Sequence, residues 1–170
     1  ENVRFDSARM PGARLVAVKA NGVSFKNAML DNSRFSRSIL NHVDYSGVKA
    51  NKSNFYQAQL ESVNFADAKL SKANFEYANL HNADFTRADM SEAVLKNARL
   101  DATGFIDANL QKTVFDGADC QGTNFTRADL SKASFREADI DDAVFTEAIL
   151  KDTTWSDYKR CRASSIGVCE

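Results

Sequence analysis

The chain has 170 residues, formal net charge −1, 44% hydrophobic and 10% aromatic residues, and a single Pro. With 22 Lys and Arg against 23 Asp and Glu it is neither uniformly basic nor uniformly acidic, and no linker or low-complexity tract divides it. No apolar run approaches the ~20 residues that span a bilayer, and no basic-then-apolar start resembles a signal peptide.

From Phe5 onward every fifth residue is apolar, most of them large, without a missed step to Trp155. Two residues before each stands a small one, as in Ala58, Val63, Ala68, Ala73, Ala78, Ala83, Ala88 and Ala93. A period of five fits no regular element. On a helix successive members would lie about 140° apart, and on a strand alternate members would face water. The backbone must therefore turn after each unit, so that the same two positions always face one interior, which is the signature of a solenoid.

A period of ten lies on the first, with Phe dominating the odd multiples of five and smaller residues the even ones. Four units per turn predict one interior column of Phe5, Phe25, Tyr45, Phe65, Phe85, Phe105, Phe125 and Phe145. The opposite column is Leu15, Phe35, Phe55, Phe75, Leu95, Phe115, Phe135 and Trp155. Rings on two opposite sides with Leu on the others would fill a square interior. Where Ala20 and Ala50 replace large residues, Val18 and Val48 restore part of the volume.

Units such as Ala78-Asn79-Leu80, Ala88-Asp89-Met90, Ala108-Asn109-Leu110 and Ala128-Asp129-Leu130 closely resemble the pentapeptide-repeat family, whose consensus is A(D/N)LXX. The resemblance covers 31 consecutive units, residues 3 to 157. It implies an all-β fold, a right-handed quadrilateral parallel β-helix of just under eight coils, roughly 37 Å long at ~4.8 Å per coil. Val in the small register at Val3, Val18, Val23, Val43, Val48 and Val63 predicts slightly wider early coils. The expected domains are 1–157, the β-helix, and 158–170, a C-terminal cap.

Charge is uneven along the chain: residues 1–60 hold nine Lys and Arg against four Asp and Glu, while residues 61–155 hold ten against seventeen. Arg4, Arg9, Arg14, Lys19 and Arg34 crowd the early units; Asp84, Asp89, Asp119, Asp129 and Asp139 hold the same place later. The repeat is already in step at Val3, so no cap is legible there. A leader removed upstream, or self-association through the open backbone groups of the first coil, is the expectation for that end. At the other end a short helix is expected after Ser156 as N-cap, through Tyr158, Lys159, Arg160 and Cys161, with Gly167 turning the chain back. A Cys161–Cys169 disulfide would close this cap and imply an oxidising compartment; two unpaired thiols are the alternative. Such an end is similar to pentapeptide-repeat proteins of the thylakoid lumen in chloroplasts and of the cyanobacterial lumen or periplasm, whereas free thiols would point to the cytoplasm. Cys120 falls in the interior series.

Catalytic, metal and cofactor sites find no support. His42 and His81 are expected two coils apart, roughly 10 Å, too far to share a metal ion. Gly residues are scattered at turns, and no phosphate-cradling loop is present. The best surface feature is a strip along the side backed by Phe55, Phe75, Leu95 and Phe115: Tyr56, Tyr77, Val94 and Val114, flanked by the amides of Asn54 and Asn74. The leading expectation is a non-enzymatic structural or interaction module that presents flat sides to a protein partner. The alternative, implied by resemblance to gyrase-protecting members of the family, is a DNA-mimicking binder of DNA gyrase or topoisomerase, for which only Glu61 to Asp152 is acidic enough. Direct nucleic-acid binding by the early arginines lacks an aromatic platform.

Overall fold

The computed structural model describes residues 3–170, so Glu1 and Asn2 of the expected 1–157 domain lie outside the described residues. Parallel bridges join residues twenty apart, from Arg4 with Ser24 to Ser134 with Thr154. Four such ladders run together, so each coil has four sides of five residues and the chain is an all-β solenoid. The first side is centred on Arg4, Ser24 and Asp44, the second on Arg9, Met29 and Lys49, the third on Arg14, Arg34 and Asn54, and the fourth on Lys19, Ile39 and Gln59.

The corners explain the unit length. From Ser7 to Asp152 every fifth residue has φ between 54° and 71°. A positive φ at the second central residue alone defines a type II turn. The turn closes when the small residue's amide donates to the carbonyl of the preceding large one, as from Ala68 to Phe65 at 3.1 Å and from Ala78 to Phe75 at 3.0 Å. That bond is missing at Val18, Val23, Val43 and Val63 but present at Val48, which donates to Tyr45 at 3.0 Å. Ala, Ser and Thr all close the corner at this register. Ser and Thr fit there because their hydroxyls donate to a turn carbonyl one coil back, as Thr103 does to Leu80 at 2.8 Å and Ser53 to Leu30 at 2.7 Å.

The interior is two ring columns meeting at right angles. Phe55 and Phe75 stack at 4.7 Å with 1° between planes, and Phe65 meets both edge-on at 5.8 Å. Nine Phe, at 35, 55, 65, 75, 85, 105, 115, 125 and 135, are fully buried, Phe25 nearly so, while Phe145 and Trp155 are half-buried beside the end of the stack. Tyr45 continues the column between Phe25 and Phe65, with its hydroxyl buried and without a partner. Cys120 is buried, and that burial, with Asp119 and Asp139 nearby, pushes its thiol up.

The expected C-terminal helix does not form: no helix is present among the described residues. Tyr158 has φ 67°, which a right-handed helix forbids, and Ser156 sits in a turn rather than at an N-cap. Instead the chain doubles back in antiparallel pairing, Thr154 with Arg160 and Ile149 with Ile166. Trp155 donates to Lys159 at 2.7 Å, Cys161 to Thr153 at 2.8 Å and Leu150 to Ser165 at 3.0 Å. The ladder groups of the second and third sides draw the segment into strand pairing, which a helix could not supply. Cys161 and Cys169 are joined, with Cα atoms 4.8 Å apart, and Cys161 is buried.

Candidate functional site

The third side carries the expected strip. Asn54, Asn74, Val94 and Val114 occupy successive coils of one ladder. Tyr56 and Tyr77 stand at the corner that follows, their rings 5.9 Å apart and nearly perpendicular at 84°. Tyr77 is 48% exposed, while Tyr56, Val94 and Val114 are half-buried. The six residues are therefore contiguous, with Tyr77 the most prominent apolar group among them.

The two asparagines already have a structural task. Asn54 Oδ1 accepts from the Tyr56 amide at 2.8 Å, and Asn74 Oδ1 from the Glu76 amide at 2.8 Å. The same cap recurs at Asp44, Asn64, Asp84 and Asn124, so where a unit has Asp or Asn at this position it satisfies the first turn amide. Asn54 also accepts from the Ser36 hydroxyl at 3.1 Å. What remains for a partner is the NH2 group of each amide.

Sequence reasoning singled out Arg14 and Arg34 among the early cations but did not place them, with Lys52 and Lys72, as a basic rim of this side. Lys52 and Lys72 stand at the corner preceding Asn54 and Asn74, and Arg14 and Arg34 continue the asparagine ladder toward the first coil. All four are exposed. The twenty-residue period, applied to the outward positions as it was to the interior ones, would have found them. It also would have found the charge ladder between the first and second sides. There Arg87 pairs with Asp67 at 2.8 Å and Arg127 with Asp107 at 2.7 Å, each one coil back. Hydrogen bonds from these arginines hold both carboxyls below the ordinary range.

The histidines are not brought together as a site. His81 Nδ1 lies 2.5 Å from Asp101 Oδ2, and Arg99 holds the same carboxylate at 2.7 Å. Burial pushes the Asp101 carboxyl up, but the bonds from Arg99 and His81 outweigh it and leave it below its usual value. His42 lines a separate cleft of about 370 Å³ with Arg4, Lys26 and Asp44. Among the described residues no group of three or more His, Cys, Asp or Glu is arranged to hold a metal ion, and no helix is long and apolar enough to cross a membrane.

The family model described as the pentapeptide repeat region matches residues 1–75 and again 68–145. The chain belongs to the pentapeptide repeat family. Among solved structures, this pentapeptide repeat chain is similar to trypsin-treated QnrB1, a plasmid-mediated fluoroquinolone resistance protein, with TM-score 0.83 and 14% identity over 91% of this chain and 78% of that one. A pentapeptide repeat protein of the Arabidopsis thaliana thylakoid lumen aligns at TM-score 0.43 with 24% identity, over 70% of this chain and 69% of that one. HetL, involved in heterocyst differentiation regulation in the cyanobacterium Nostoc, aligns at TM-score 0.34 with 22% identity, over 94% of this chain and 92% of that one. At 14% identity the likeness to QnrB1 is one of fold alone. A search of curated protein sequences finds no significant match.

Proposed function

We propose that the chain is a non-enzymatic interaction module whose third side receives a protein partner. The observation that carries this reading is the exposed Tyr77 edge-on to Tyr56, beside a flat row of two amides and two valines. Aromatic groups on a rigid surface give contact area at little entropic cost, and regular packing gives these rings no interior role. The ring-filled interior is a poor place for a substrate, so specificity falls to the outside. The Cys161–Cys169 bridge favours an oxidising location such as a thylakoid lumen or periplasm. Self-association through the first coil belongs to the same proposal; sedimentation velocity at rising concentration tests it.

Mimicry of DNA before gyrase has weaker support, because Arg87 and Arg127 neutralise Asp67 and Asp107 in the acidic half. The deciding experiment is cross-linking in an extract of the native source, comparing the wild-type chain with Tyr56→Ser/Tyr77→Ser. Loss of a specific cross-linked partner with far-UV circular dichroism unchanged is the expected result. An identical set of partners from the folded double variant would remove the third side from consideration.

A further inference from the structure

Arg14, Arg34, Asn54 and Asn74 sit on four successive coils of the third side, with Lys52 and Lys72 along one border and Tyr56 and Tyr77 along the other. Cations, amide donors and an aromatic pair thus share one flat surface in a chain whose overall charge is −1. The concentration of cations is local, since beyond Glu61 acids outnumber bases.

The fold makes no use of most of this charge. Arg87 and Arg127 are each gripped through two nitrogens by an aspartate one coil back. Among the described residues Arg14, Arg34 and Lys52 enter no ion pair, and Lys72 reaches only Glu92, at 3.5 Å. Arg14 and Arg34 are directly bridged neighbours, and like charges facing each other across a ladder destabilise it. A bound anion would relieve that repulsion.

We infer that this end of the third side docks an acidic segment of a partner protein, its carboxylates on Arg14, Arg34, Lys52 and Lys72 and an apolar residue against Tyr77. The inference rests on the reading of the third side as a protein-binding surface and names the chemistry of what binds. Guanidinium groups grip carboxylates through paired hydrogen bonds, and the unused NH2 groups of Asn54 and Asn74 point to acceptors as well. A nucleic acid fits less well. Tyr56 and Tyr77 are perpendicular, with Tyr56 half-buried, so they cannot hold successive bases face to face. Glu76 and Glu92, on opposite borders of the same surface, repel a continuous phosphate backbone, whereas spaced carboxylates can avoid them.

The test is fluorescence anisotropy with the full chain and two labelled probes, a random Glu-Tyr copolymer peptide and an oligothymidylate. The expected result is saturable peptide binding that weakens about tenfold when salt rises from low to physiological strength. Arg34→Glu/Lys52→Glu should weaken it at least tenfold further, Arg34→Gln/Lys52→Gln less, and Arg87→Gln/Arg127→Gln not at all, all with unchanged circular dichroism. No peptide binding, equal binding by the folded charge-reversal variant, or tighter binding of the oligothymidylate overturns the inference. If the peptide fails while the native partner still depends on Tyr56 and Tyr77, the protein-binding surface stands and its acidic specificity falls.

Discussion

Tyr45 lies between Phe25 and Phe65, with ring centroids 5.1 and 4.8 Å away, and its hydroxyl is the one buried side-chain polar atom without a partner among the described residues. Burial alone pushes its phenol up, since no hydrogen-bond donor or positive charge stabilises the phenolate. An unmade hydrogen bond in an apolar interior costs more than the ring's packing requires. Tyr45→Phe should stabilise the chain by about 1 kcal/mol, seen as a higher urea midpoint with unchanged slope. A lower midpoint would mean that the hydroxyl has a partner, such as a buried water.

Stacked rings should carry most of the cooperativity. Phe75 touches Phe55 face to face and both Phe65 and Phe85 edge-on. Phe75→Ala should therefore cost about 3–5 kcal/mol. Phe145→Ala should cost less, because Phe145 is half-buried near the end of the stack. Equal losses in urea titrations would show that coil position does not matter, against the nearest-neighbour behaviour expected of solenoids.

Corner strain gives an opposite pair of outcomes. Ala102 has φ 58° on an exposed corner, where an L side chain is strained by roughly 1–2 kcal/mol. Ala102→Gly should gain about 0.5–1 kcal/mol net of the added unfolded-state entropy. Ala98→Gly, in the buried small register of the same coil, should lose about 1 kcal/mol instead. A thermal-melt comparison of the two variants checks both signs at once.

How much of this was legible in the sequence follows from what repeats. The interior columns from Phe25 to Phe135 could be written down in advance because period five and period ten are imposed by packing, and packing is the same in every coil. Outward positions answer to no such rule, so the Tyr56, Tyr77, Val94 and Val114 strip could be located but not given a role. Arg34 and Lys52 became part of the same surface only once their ladder and corner places were considered together. The cap was misjudged for a different reason. Ser156 and the residues after it have acceptable helical propensity, but the unpaired backbone of Ile149 and Thr154 offers a stronger partner than a single helical turn.

The cap gives a thiol prediction with three readings on one sample. Cys161 and Cys169 are bridged, and Cys120 is buried with its thiol pushed up. Native alkylation should label no cysteine, denaturation without reductant should expose Cys120 alone, and reduction should expose all three. Opening the short loop should cost about 2–3 kcal/mol by the chain-entropy argument, with the loss felt first in the last coil. Labelling of Cys161 in the unreduced native protein would contradict the bridge.

The ladder between the first and second sides sets the acid limb of stability. Asp67 and Asp107 have folded-state carboxyls held below their unfolded values by Arg87 and Arg127. A depressed carboxyl contributes stability that is fully present above its unfolded pKa, about 3.9 for Asp, and is lost as pH falls through the lower folded value. The urea midpoint should therefore decline as pH drops below about 4. Arg87→Gln/Arg127→Gln should make that decline shallower. Because both pairs are exposed, added salt should shrink the difference between wild type and variant. Carboxyl NMR titration of Asp67 and Asp107 gives the direct check. Midpoints near the ordinary Asp value in the wild-type chain would show that the crossing ion pairs do not persist in solution.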